Sequence, residues 1–184
     1  DGSDSSDMFY LRNASLFVLP FLAIFFAWKR GLGLAGRLKL AGAFIIAALV
    51  MNLFPFTPAG HTELLASLHL PMALWLTVGV AYAGGQWRSH QQRMNYVRFS
   101  GESFIYYALI AAGGGVLMGI TMGLFGAIGL DAEVRVTTWI RPCGAMGAVI
   151  IAGWLVEAKQ SVIENMAPVL TMIFTPLFTL LLLA

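Results

Sequence analysis

A chain of 184 residues that is 59% hydrophobic and 11% charged cannot cover a water-soluble fold, because soluble domains carry about 25% charged residues. The net charge of +2 is too small to suggest nucleic acid, and the basic residues gather in short connections rather than along one face. A single cysteine, Cys143, excludes an intrachain disulfide framework and a cysteine-based metal cluster; it reads as a small buried apolar residue.

Lipid is the natural solvent for such a chain, whose mean hydropathy is +0.79. A spanning helix needs about 20 mostly apolar residues. Six stretches meet this in chain order: 9–28, 40–56, 64–83, 103–130, a region near 136–156, and 166–184. The runs are continuous and do not alternate, which excludes a β-barrel. The expected fold is therefore all-α, a polytopic transmembrane bundle of about six spanning helices, read as a single domain over 1–184 with no cofactor.

The first stretch follows the acidic tail "DGSDSSD" and carries Arg12 and Asn13 near its start and Pro20 within it. The connection "KRGLGLAGRLK" holds Lys29, Arg30, Arg37 and Lys39, and the second stretch approaches its end at Asn52. The third contains "LLASLHLPMALWL", in which His69 and Pro71 interrupt an apolar run. Membrane helices tolerate such prolines because neighbours satisfy the freed carbonyls. The connection "GGQWRSHQQRMNYVRFSGE" carries Arg88, Arg93 and Arg98, with Trp87 and Tyr96 toward its ends. Its simplest reading is an interfacial loop that holds topology, with binding of anionic lipid headgroups as the functional alternative.

The fourth stretch repeats Gly115, Gly119 and Gly123 at four-residue spacing, a stripe that permits close approach of another helix. The run at 113–115 is a candidate hinge, and Glu102 falls in the expected first turn, where the helix dipole favours an acid. The residue before Pro142 is pushed away from helical geometry, so the fifth helix starts near Pro142, with "AEVRVTTWI" along the interface and Trp139 as anchor. Pro168 lies near the start of the sixth stretch and Pro176 inside it.

Orientation follows from the short loops, since Lys and Arg accumulate on the cytoplasmic side. Loops 29–39, 84–102 and 157–165 hold eight of the eleven basic residues and must share one side, so they are expected to be cytoplasmic and both termini to face out. The chain starts at Asp1 without a signal-peptide pattern, and "TLLLLA" stops without a polar anchor. It reads as a segment of a longer membrane protein.

This topology places His69 about 7–8 Å below the outer end of its helix at about 1.5 Å per residue. Glu102 then lies across a core of about 30 Å, which excludes a His69–Glu102 proton relay. Arg12, Asn52, His69 and Arg141 fall instead in one outer polar layer, with Asn13 near the same end and Glu63, Asp131 and Glu133 in adjoining loops. Buried ionisable groups in a membrane are costly and point to function. The competing account is structural: Arg12 snorkels, Arg141 lies at the interface, and Asn52 and His69 bond across helices. His69 also stands alone among Leu65, Ala66, Met72, Ala73 and Leu76.

Catalytic motifs fail one by one. "RFSG" at 98–101 is similar to the Gly-x-Ser-Gly of rhomboid proteases but has Arg98 in place of the first glycine. "GLD" at 129–131 lacks the Gly-x-Gly-Asp of intramembrane aspartyl proteases, and His61, Glu63 and His69 match no ligand spacing.

Three stretches, "LHLPMALWLTVGVAY" (68–82), "RFSGESFIYYALIAAGGGVL" (98–117) and "ENMAPVLTMIFTPLFTLLLL" (164–183), carry a resemblance. Together they resemble a family of bacterial polytopic inner-membrane proteins catalogued as a domain of unknown function. The resemblance implies a bacterial cytoplasmic membrane and further spans, and it brings no activity. It marks His69, Pro71, Glu102, Pro168 and Pro176 as positions worth mutating. The leading functional expectation is a non-enzymatic, transporter-like or channel-like module for a small solute. The alternative is a scaffold or subunit that binds lipid, another membrane protein or further helices of its own chain, with an intramembrane enzyme third.

Overall fold

The computed structural model describes residues 2–56, 60–128, 136–159 and 166–183. Six α-helices occupy them: α1 (Gly2–Lys29), α2 (Leu34–Leu53), α3 (His61–Tyr82), α4 (His90–Ala127), α5 (Arg141–Lys159) and α6 (Met166–Leu183). A π-helical turn, Val136–Ile140, runs directly into α5. There is no strand among the described residues, and the fold is the all-α helical bundle that composition implies. Four segments are long and apolar enough to cross a membrane: 34–53, 61–82, 90–127 and 138–159. Asp131, Glu133 and Arg135, and positions 160–165 of the fifth loop, lie outside the described residues.

The chain divides into two compact units, 1–98 and 99–184. In the first, α1 and α3 run parallel, linked by the antiparallel α2. The start of α3 meets α1 about three turns along it, through Glu63 and Arg12, and their ends meet through Phe26 and Tyr82, whose rings are 5.1 Å apart. The shared core comes from Leu22, Ala23 and Phe26 of α1 and Leu70, Leu74 and Val78 of α3, all buried. These positions recur every three or four residues, the period of a helix face.

The opposite face of α1 is equally apolar. Phe21, Ile24 and Trp28 are 63%, 65% and 72% exposed. Leaving each such side chain in water would forgo about 1.5–3 kcal/mol. Helix α2 goes further, with only Leu40 and Met51 buried and its other leucines, its isoleucines and its valine turned outward. A helix apolar all round suits a lipid surround.

Helix α4 departs from expectation. Residues 90–102, read as loop from their arginines and glutamines, form its first turns. The reason is a buried stripe, Tyr96, Phe99, Ser103 and Tyr106, spaced by three, four and three residues. Glu102 consequently lies about three turns inside the helix. The role expected for it, an acid favoured by a helix start, is not realised, because the helix starts at His90 instead.

In the second unit, Ala148, Ala152 and Val156 bury one face of α5, and Phe174 of α6 meets α4 at Gly113. Helix α5 begins at Arg141, beside the Pro142 expected to start it. Trp139 in the preceding turn is exposed. Cys143 is also exposed, contrary to the buried role its residue type suggested: it falls in the first turn of α5, whose buried positions begin only at Ala148.

Candidate functional site

The start of α3, the end of α2 and a point about three turns into α1 bring four polar side chains together in the first unit. Arg12 and Asn13 follow one another on α1, Asn52 ends α2, and Glu63 opens α3. Glu63 is 7% exposed and Asn13 4%. An isolated carboxylate so placed would be costly, and it is not isolated. The Arg12 guanidinium donates through Nη1 to Glu63 Oε1 at 3.2 Å. A carboxylate in the first turn of α3 also meets the favourable end of the helix dipole.

The two asparagines pair reciprocally. Asn13 Nδ2 donates to Asn52 Oδ1 at 3.2 Å, and Asn52 Nδ2 donates to Asn13 Oδ1 at 2.9 Å. Each also ties back to its own helix, Asn13 to the Phe9 carbonyl at 3.0 Å and Asn52 to the Ala48 carbonyl at 2.9 Å. Arg12 Nη2 lies 3.5 Å from Asn52 Oδ1, at the limit of a hydrogen bond, and links the ion pair to the amide pair. Phe56 stands 5.9 Å from the guanidinium carbon and covers it. One polar knot thus spans three helices. Its unsatisfied atoms are Arg12 Nε and the nearby hydroxyl of Ser15, both buried without a partner among the described residues.

Of the outer layer drawn from the sequence, Arg12 and Asn52 lie in this knot. His69 does not join them. It is exposed on α3, and its Nδ1 donates to the Leu65 carbonyl of its own helix at 2.8 Å, which puts the ring proton on Nδ1. Arg141 belongs to the second unit, exposed at the start of α5. Pro71 and Pro176 are exposed within α3 and α6, Pro168 lies in the first turn of α6, and Glu102 is half-buried in α4. On the glycine stripe, a Cβ built at Gly115, Gly119 or Gly123 would meet no atom within 4 Å. The close approach sits one turn earlier, where a Cβ on Gly113 would strike the Phe174 ring.

A second cluster, at the other end of the first unit, escaped the sequence reading. Tyr96 of α4 lies over α3, its hydroxyl donating to the Trp75 carbonyl. The rings of Tyr82, Trp75 and Trp87 stand 5.6, 6.1 and 6.1 Å from it. Gly79 makes room, since a Cβ there would come within 2.6 Å of the Tyr96 ring. The three-four-three spacing from Tyr96 to Tyr106 was the available signal, masked by the polar residues between.

Neither cluster presents a nucleophile beside a base, and no group of three metal-ligating side chains gathers among the described residues. Compared with known proteins, the sequence matches no family model, no curated protein and no solved structure.

Proposed function

We propose that this chain is a non-enzymatic membrane subunit or scaffold, a helical component whose faces meet other membrane helices. The carrying observation is the mutual bonding of the polar side chains where α1, α2 and α3 meet. Arg12, Asn13, Asn52 and Glu63 spend their donors and acceptors on one another, so they fasten α1, α2 and α3 instead of lining a route. Interhelical hydrogen bonds of this kind hold bundles together where burial of apolar surface cannot. The open Gly115–Gly119–Gly123 face of α4 is consistent with a partner helix, since small residues let backbones approach.

In this reading the basic segments at 29–39, 84–102 and 157–165, whether turn or helix end, face the cytoplasm and the polar knot faces out, as the distribution of arginine and lysine directs. A bacterial cytoplasmic membrane, and kinship with the polytopic family that three stretches resemble, belong to the same proposal.

One observation favours the transporter-like alternative. The Arg12 side chain is 20% exposed, and its buried Nε has no partner among the described residues. That leaves one buried donor unspent, which a polar solute could engage only if the guanidinium moved to expose it. Thiol accessibility separates the two. Asn52→Cys and His69→Cys, made singly in a Cys143→Ser background, should resist a membrane-impermeant maleimide, while Arg141→Cys at the interface labels. Labelling at both 52 and 69 establishes a water path and overturns the scaffold reading.

A further inference from the structure

The end of the first unit opposite the polar knot concentrates charge of one sign. Gly84 and Gly85, at φ of +59° and +81°, turn the chain after α3 so that it adjoins the turn after α1. A Cβ on Gly84 would stand 3.3 Å from the Arg30 carbonyl, and one on Gly85 3.1 Å from the Leu32 side chain. The Arg30 guanidinium lies 4.7 Å over the Tyr82 ring. Two basic connections distant in sequence therefore form one surface.

Lys29, Arg30, Arg37, Lys39, Arg88 and Arg93, carried by these connections and the first turns of the helices that follow them, are all exposed. Between Lys29 and Arg98 the only acid is Glu63, held by Arg12 at the far end of α3. Lys39, Arg88 and Arg93 make no ion pair or ring contact among the described residues. Arg37 spends only its Nε, on the Leu32 carbonyl at 2.7 Å, and keeps its two amino groups for an outside acceptor.

What adjoins the charge decides the occupant. Trp28 is exposed beside Lys29, at the place where indoles sit against headgroups. From the same end, Leu34, Leu38, Ile45 and Leu49 run down α2 as an exposed aliphatic ridge. Cations capping an acyl-sized apolar ridge match a molecule with a phosphate at one end and a hydrocarbon chain at the other. A nucleic acid or acidic peptide would leave the ridge unused.

We propose that this surface binds anionic phospholipid, the headgroup phosphate held among Arg37, Lys39, Arg88 and Arg93 and an acyl chain laid along the α2 ridge. The site is independent of the polar knot and of the scaffold reading, so either stands if the other fails.

Native mass spectrometry of the full chain released from detergent tests it without dependence on membrane orientation. The probes are phosphatidylglycerol and phosphatidylcholine with identical acyl chains. The expected result is preferential retention of phosphatidylglycerol, lost by about tenfold or more in Lys39→Gln/Arg88→Gln/Arg93→Gln, since each cation near an anionic surface contributes about fivefold. Arg141→Gln, an exposed cation of the other unit, should retain the preference. Should the triple variant fail to fold, Arg88→Gln alone is expected to lose about fivefold. Equal retention of the two lipids, an unchanged preference in these variants, or displacement of the lipid by millimolar inorganic phosphate overturns the proposal.

Discussion

Replacing Arg12 by methionine removes the cation that pairs with Glu63. The methionine keeps much of the apolar stem, so the loss is chiefly electrostatic. Glu63 is left 7% exposed, with its carboxylate deprived of the 3.2 Å partner. Breaking a buried ion pair from one side costs about 3–5 kcal/mol. Arg12 is 20% exposed, so water screens part of the interaction and the expected loss falls below that range, at about 2–3 kcal/mol. Glu63→Leu should cost a similar amount, because it strands the guanidinium. The double variant should be much less destabilised than the two singles summed, since a buried pair replaced by apolar groups is often close to neutral. Unfolding of the purified chain in mixed micelles, followed by circular dichroism against denaturant, gives the cycle. A coupling above about 1 kcal/mol supports the ion pair as drawn; singles that add to within about 0.5 kcal/mol would falsify it.

Two further contrasts test the packing. Gly79→Ala drives a methyl to within 2.6 Å of Tyr96 and should destabilise by about 1–3 kcal/mol, with a shift in the fluorescence of Trp75 and Trp87. Gly119→Ala, placed in open space, should instead leave the isolated chain unchanged or gain up to about 1 kcal/mol from helix propensity, read in the same denaturant titration. His69→Leu should move stability by no more than about 0.5 kcal/mol, because His69 is exposed and bonds only its own helix; a loss above about 2 kcal/mol would show that it meets a partner helix.

Composition alone determined the solvent and the class of this fold. With 59% of residues hydrophobic and 11% charged, continuous apolar runs must become helices that satisfy their own backbones in lipid. The runs containing Leu40, Leu64 and Ala148 are helices for that reason, and Pro142 marked the start of α5 to within a residue. Part of the polar cluster was also legible: of the layer Arg12, Asn52, His69 and Arg141 drawn by counting residues from helix ends, Arg12 and Asn52 meet, together with Asn13 and the Glu63 expected in the adjoining loop.

Which of those groups touch was decided in three dimensions. A depth is one coordinate, and rotation about each helix axis supplies the other. That rotation is set by packing of α1 on α3, which turns Arg12 toward Glu63 and leaves His69, six residues further along α3, on the outer face. In α4 the same competition runs the other way. Buried Tyr96 and Phe99 draw a polar, arginine-bearing segment into the helix that its charge alone would assign to a loop. The basic turns after α1 and α3 illustrate the point once more: their charges are plain in the sequence, and only the left-handed Gly84 and Gly85 bring them side by side.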